Sequence, residues 1–465
     1  MTATLLASIV CCVLAWRLSG APGVAYLLFY LAFLPFLTLD PEGGGAESVA
    51  DFARGGSAIK AALRALTSIG FLVLLVRRRG WFERLTVRAN WPVLLFLVWA
   101  VASLVRAPSA TLAAVRLGEL ATFFLAGLVL LTEADRHHDP RDVLRWRCLA
   151  TVPVCVATLL AAVLQPELMA FHDGPGGVRL GHRFIEANVL GFSGCVLSLW
   201  STYALREART PGRSYLRERG PTWILFALGL LVVFFARSRT AMITWILGQL
   251  ALWLSFSQGD LRKKVTAMAI AFPIGIALVM GMDLVVDWVL RGGSVAELAS
   301  ATGRTDLWLA LLRGQVLENP IFGAGYLALG PEGTFYLDGR DWNNAHNTFI
   351  FALVSNGLPG LILLLAISWV PLAACARQMT SRSSPDRAWV LFFILQLTVL
   401  VTGLTGFGIC GHPNVVMLFS FALYPYCAQA GVSVAGIRRD LRLRSPPTGQ
   451  GSRYPDRRSP SPGLG

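Results

Sequence analysis

The sequence predicts an all-α, polytopic integral membrane protein with about 12–13 transmembrane helices and one long, partly helical outer loop. Three observations predict it. Hydrophobic residues make up 55% of the 465 positions and charged residues only 15%, where a soluble protein carries about a quarter. Apolar runs of about 17–25 residues recur along the chain, long enough to cross a bilayer as helices. Barrel strands would be shorter and would alternate apolar with polar positions.

In order, the runs fall at 3–16, 21–39, 57–76, 91–106, 111–132, 148–165, 187–205, 221–236, 240–257, 265–287, 346–375, 388–409 and 413–430. The first is short and reads either as a span or as an interfacial helix. It lacks the basic n-region and small-residue cleavage site of a signal peptide. Together the runs form one transmembrane domain, residues 1–436, followed by a basic tail, 437–465. That tail is rich in Arg, Pro, Ser and Gly, a composition that predicts disorder.

The net charge of +14 does not point to nucleic acid, because its basic residues cluster in short connections between spans. Arg77, Arg78, Arg79, Arg84 and Arg88 form one set, and Arg136, Arg141, Arg145 and Arg147 another. Three more follow: Arg206, Arg209, Arg213, Arg217 and Arg219; then Arg262, Lys263 and Lys264; then Arg377, Arg382 and Arg387. If the spans alternate, all five sets lie on one side, and the positive-inside rule makes that side the cytoplasm. The opposite side receives the connections at 40–56, 166–186 and 288–345. A connection as long as the last is uncommon unless functional or disordered, and the periodic stretch 304–317 predicts an ordered helix within it. The eight cysteines lie mostly inside spans, show no metal-ligand spacing and read as packing residues.

Four polar motifs crowd into one outer region: TGRTDLW (302–308), NPIFGAGY (319–326), AHNTFI (345–350) and NGLPG (356–360). Thr302 or Thr305 is placed to cap a helix that presents Arg304, Asp306 and Trp308 in its first turn. Such a helix start favours phosphate. Asp306 reads as orienting Arg304, and Trp308 as stacking on a sugar or packing the loop helix down. His346 opens a span, where an imidazole is either an interfacial structural residue or a base that accepts an acceptor hydroxyl's proton. Asn347 is placed to orient it or to bind sugar.

A second signal is ARSRT (236–240), which sets Arg237 and Arg239 between apolar runs at the outer end of a span. Charge at that depth needs a partner, water or a ligand. The alternatives are snorkelling or an ion pair, or a cradle in which guanidinium groups grip a diphosphate. GHRFIEANVLGF (181–192) contributes Asn188 and Gly191 at the start of another span, with Arg179, His182 and Arg183 adding positive charge outside. A rival site is LDPE (39–42), whose Asp40 and Glu42 have the spacing of an acidic pair that binds a divalent metal or acts as base. No P-loop, dinucleotide fingerprint or G-x-S-x-G occurs.

The order and spacing of these motifs resembles the O-antigen ligase and O-antigen polymerase superfamily. Those membrane enzymes transfer glycans from a polyprenyl diphosphate carrier. The resemblance covers about residues 180–375, with its specific motifs between 236 and 360. Ala187 stands where the family commonly has proline before the Asn188 element. The resemblance implies a GT-C-like fold around an outward-facing cavity, in the cytoplasmic (inner) membrane. It implies metal-independent, inverting glycosyl transfer in surface polysaccharide biosynthesis, with no cofactor and no metal. The donor would be an undecaprenyl-diphosphate-linked glycan and the acceptor a sugar hydroxyl, on a glycan or a lipid A core. Arg239 and Arg304, with Arg237, would hold the diphosphate, and His346 would be the base. Asn347, Asp306, Trp308 and Asn188 would line the substrate site. Ligase and repeat-unit polymerase share these motifs, and the His-Asn pair leans towards the ligase. From other classes, a lipid-linked sugar transporter or flippase and a non-catalytic assembly subunit are the alternatives. The chain shows no internal repeat of the kind transporters often carry.

Overall fold

Apolar runs become helices because a backbone in lipid must satisfy its own hydrogen bonds. The computed structural model describes residues 57–78, 80–137, 140–164, 170–172, 178–181, 187–207, 219–256, 304–329, 335–337, 340–342, 345–380, 387–406 and 415–430. The expected spans at 3–16, 21–39 and 265–287, the Asp40–Glu42 pair, Thr302, His182, Arg183 and the tail lie outside the described residues.

The helices are α1 (Ser57–Val76), α2 (Trp81–Thr86), α3 (Trp91–Ser103), α4 (Ala110–His137), α5 (Pro140–Leu149), α6 (Val152–Leu164), α7 (Ala187–Glu207), α8 (Arg219–Phe235), α9 (Arg239–Phe256), α10 (Arg304–Leu311), α11 (Thr348–Thr380), α12 (Ala388–Thr405) and α13 (Val415–Ala430). Among the described residues, Arg88–Arg106, Ala110–Thr132, Val143–Leu160 and Thr348–Thr380 are each long and apolar enough to cross a membrane. Shorter apolar helices accompany them at Thr67–Val76, Gly220–Phe235 and Ala388–Leu404. The protein is an all-α, polytopic membrane protein.

Two details differ from the sequence reading. The run at 148–165 is interrupted at Ala150 and Thr151, so α5 and α6 are separate helices. Pro153 has no N–H to give to Leu149, which favours the break. Two short antiparallel hairpins also occur in the connections at 166–186 and 288–345: β1 (Ala170–His172) pairs with β2 (Val178–Leu180), and β3 (Phe335–Leu337) with β4 (Arg340–Trp342). At three residues each, such strands are too short to leave a period in the sequence.

Helix α7 is the axis of the bundle. It is buried almost continuously from Ala187 to Tyr203 and packs against α8 and α9. Small residues permit the approach, as is usual between membrane helices. A Cβ on Gly194 would lie 2.6 Å from the carbonyl oxygen of Gly229 in α8, and one on Gly191 would lie 2.8 Å from Ser238 Cβ. The buried serine hydroxyls of α7 are occupied. Ser193 donates to the carbonyl of Val189 at 2.9 Å, and Ser198 accepts from Trp245 Nε1 at 2.9 Å.

Helix α11 is broken at Gly357, whose φ of 66° and ψ of −169° are outside helical space. The break is filled from two sides. From the loop, Ala324 N donates to the carbonyl of Val354 at 2.7 Å, and Leu358 N to that of Pro320 at 2.8 Å. From α3, Trp99 Nε1 donates to the carbonyl of Asn356 at 2.8 Å, and Ser103 Oγ to Asn356 Oδ1 at 2.9 Å. The Trp99 ring stacks on Phe322 with centroids 5.1 Å apart, and Arg106 donates to Asn319 Oδ1. NPIFGAGY and NGLPG are therefore the two sides of one joint. A Cβ on Gly357 would sit 2.0 Å from the carbonyl oxygen of Ile321.

Candidate functional site

The joint holds the 319–326 loop against α11, the helix that follows His346. Just before it, α10 begins at Arg304 as expected, and its last turn widens into a π stretch over Leu312–Val316. Trp308, half-buried, donates from Nε1 to the carbonyl oxygen of Ala345 at 2.7 Å. That bond ties the loop helix to the residue preceding His346. Trp308 thus fulfils the packing alternative, through a directed hydrogen bond.

His346 has a φ of 49°, a left-handed conformation uncommon outside glycine. The Trp342 ring meets its imidazole edge to face, with centroids 6.1 Å apart and planes at 84°. Burial first, and then the positive charge of Arg304, pull the imidazole from its usual 6.5 down to about 4. The ring is therefore neutral at physiological pH. Asn347 caps α11: its Oδ1 accepts from Phe349 N at 2.9 Å and Ile350 N at 3.2 Å. An asparagine cap of this kind satisfies N–H groups the helix cannot. Its amide oxygen is thus committed to the backbone rather than to a sugar.

The arginine motif is built the same way. Ser238 caps α9, with its Oγ accepting from Ala241 N at 3.3 Å and donating to Asn188 Oδ1 at 2.9 Å. Arg239 is the first residue of α9, and Arg237 precedes the cap with a φ of 45°. Asn188 joins α7 to the ARSRT turn, and Gly191 below it allows the close approach. The two halves meet through Gly406 at the end of α12. Thr348 Oγ1 donates to its carbonyl at 3.2 Å, and a Cβ on it would lie 4.0 Å from Asn188 Nδ2.

The structure thus gathers Arg304, Trp308, His346 and Asn347 in one cluster. It gathers Asn188, Arg237 and Arg239 in an adjoining one. Asp306 does not join: it is exposed, and among the described residues no ion pair links it to Arg304. Residues two apart on a helix point in nearly opposite directions, so the proposed orienting role fails on geometry. Ser238 and Trp342 were missed. Ser238 was legible as a Ser before a helical run, whereas the place of Trp342 depends on the hairpin. Another missed pair is Arg116–Glu119, buried in α4 with 2.9 Å between Nη1 and Oε2. A charged pair three residues apart inside an apolar run was its signal. Among the described residues no group of three or more His, Cys, Asp or Glu could hold a metal ion.

The O-Antigen ligase family matches residues 224–365. That interval holds the ARSRT turn, α10, the joint and His346. Over 148 residues the chain is 28% identical to the exopolysaccharide production protein ExoQ of Rhizobium meliloti (strain 1021). That match covers 30% of this chain and 31% of ExoQ, so it spans about a third of the relative's length. On the matched interval, which carries both arginine motifs and the histidine, the chain is similar to the O-antigen ligase family.

Proposed function

We propose that this protein transfers a glycan from an undecaprenyl diphosphate carrier to a sugar hydroxyl, as an O-antigen ligase-type enzyme of surface polysaccharide biosynthesis. The observation that carries this reading is the Trp308–Ala345 bond, which holds Arg304 beside a neutral His346. The reaction is placed on the outer face of the cytoplasmic membrane, because the basic connections lie at the other ends of the spans.

In this mechanism Arg304 and Arg239, with Arg237, bind the diphosphate through paired N–H donors. His346 takes the proton from the acceptor hydroxyl. That oxygen bonds to C1 of the donor sugar from the face opposite the carrier, and the C1–O bond to the diphosphate breaks. The electron pair leaves with the carrier and is stabilised by the arginines, so the anomeric configuration inverts. Fixed positive charge in a water-poor site contributes about 3–4 kcal/mol per well-placed donor, and no metal is required.

The resting basicity of His346 is low, which suits a base that should act only when substrate is present. A diphosphate on Arg304 would neutralise the charge that depresses the imidazole, and so raise its basicity as the donor binds. Without donor, the histidine has little tendency to take a proton.

A second reading, a repeat-unit polymerase, is favoured by the likeness to a protein named for exopolysaccharide production. The test uses purified protein in lipid with an undecaprenyl-diphosphate oligosaccharide and EDTA, alongside His346→Ala. Product with an added lipid A core or glycan acceptor only, and none from the variant, supports the ligase. A ladder from donor alone supports the polymerase. Product that requires Mg²⁺ moves the chemistry to Asp40 and Glu42. No product with any acceptor rejects the enzyme reading in favour of a flippase or assembly subunit, and full activity in the variant removes His346 as the base.

A further inference from the structure

Arg147 lies at the other end of the bundle, and no part of the glycan chemistry uses it. The length of α12 shows the separation. Its Gly406 end touches Thr348, whereas Trp389 at its start stacks on Tyr426 with centroids 5.8 Å apart. Between Trp389 and Gly406 a helix rises about 25 Å. The guanidinium carbon of Arg147 lies 6.0 Å from the centre of that same Tyr426 ring.

Arg147 is 3% exposed, and among the described residues Nε, Nη1 and Nη2 all lack a hydrogen-bond partner. Arg141 and Arg116 show how this chain treats arginine elsewhere. The first faces Glu207 at 3.2 Å and the second faces Glu119 at 2.9 Å. An aromatic ring attracts the cation through its quadrupole but gives the in-plane N–H donors no acceptor. Buried polar groups without partners are rare in native proteins and point to a bound water or ion.

We propose that Arg147, with Tyr426 beside it, forms an anion site for phosphate oxygens, carried by a phospholipid headgroup or by free phosphate. A guanidinium fork matches two phosphate oxygens at once. The surroundings supply the field: Arg145 on the same helix and Arg387 at the start of α12 make this end basic. Arg387 is itself placed over the Phe256 ring at 4.9 Å. Lipid phosphates concentrate at the depth where such basic groups end a span.

The experiment is thermal unfolding of the full chain in a neutral detergent. Phosphatidylglycerol, phosphatidylcholine, inorganic phosphate or chloride is added at matched ionic strength, for wild type, Arg147→Met and Arg147→Lys. Native mass spectrometry of the wild type records any anion that survives purification. A saturating ligand of the folded state should raise the wild-type midpoint by at least about 2 °C. A rise with phosphatidylglycerol alone assigns the site to a headgroup, and a rise with inorganic phosphate assigns it to the free anion. Either rise should vanish in Arg147→Met and shrink in Arg147→Lys. Without ligand, Arg147→Met should melt no lower than wild type, since it removes an unpaired buried charge. The assignment is overturned if the wild type answers neither anion and retains none, as when a carboxylate of this chain fills the site. It is overturned too if Arg147→Met responds as strongly as wild type. Should Arg147→Met fail to fold, Arg147→Lys and the wild-type titration decide in the same way.

Discussion

The polar region from Arg304 to Gly360 contains two kinds of structure, and they treat polar atoms in opposite ways. At the joint, the loop at 319–326 and the break in α11 exchange backbone hydrogen bonds, and glycines allow three chain segments to touch. At the cluster, Arg304 and His346 are both charged or chargeable, held side by side by Trp308, with the histidine backbone in a rare conformation. One arrangement consumes its polar groups in holding shape. The other uses neighbouring residues to hold a cation beside an imidazole that stays neutral. All four motifs stand close in the sequence, so proximity in the chain does not separate the Arg304–His346 cluster from the framework.

The sharpest way to break this contrast is at Gly357. Gly357→Ala sets a methyl group against the carbonyl of Ile321 and forces a left-handed φ on an L side chain. We expect a loss of about 3–5 kcal/mol of stability, enough to remove folded protein from the membrane. Normal yield and melting of the variant would mean the joint is not a framework. His346→Ala should do the reverse, lowering kcat by about 10²–10⁴ while the midpoint of unfolding stays within a few degrees. Arg304→Lys should lose about 10²–10³ in kcat/KM, nearly as much as Arg304→Ala, if the diphosphate is held by a fork. Full activity with lysine would reject that grip.

A smaller effect separates positioning from chemistry. Trp308→Phe keeps the ring and loses the bond to Ala345. It should cost about 1 kcal/mol of stability and roughly tenfold in kcat, because Arg304 and His346 lose their fixed distance. Unchanged kcat would make the bond structural only. The pH profile sharpens the picture further. Since burial and Arg304 depress His346, the free enzyme holds it neutral above about pH 4. The acid limb of kcat/KM should lie near that pH, and the limb of kcat at higher pH once the donor covers Arg304. Coincident limbs near pH 6.5 would place His346 away from Arg304. In the same sense, the unfolded chain binds the proton first as pH falls from 6.5, so the His346 contribution to stability declines between about pH 6.5 and 4.

Much of this was legible in the sequence because lipid imposes a strong constraint. Helices α1, α7 and α12 start where their apolar runs start, and α10 begins at Arg304 within the 288–345 connection. The identities of Arg239, Arg304 and His346 came from spacing and resemblance. What the sequence concealed depends on contacts made at a distance. Ser238 and Asn188 are 50 positions apart and meet only because α7 and α9 pack closely. Asp306 was read as the partner of Arg304 because it is near in the chain, but helical geometry turns it away. Asn347 read as orienting His346 or binding sugar, yet the first turn of α11 requires a cap and takes its oxygen. The glycines of NPIFGAGY and NGLPG are recognisable as motifs, but only the packed joint shows what they are for.

The bond from Trp308 to Ala345 spans 37 positions of sequence. It works as a clasp: Arg304 and His346 stay together whatever length of chain is paid out between the joint and His346. Insertions between Leu329 and Ala345 would therefore lengthen the outer wall of the site without separating cation from base. Under the proposed glycan transfer, rewriting that stretch would admit a different acceptor while keeping the arginine and the histidine together. Diversity of product and constancy of chemistry would then have a common mechanical origin.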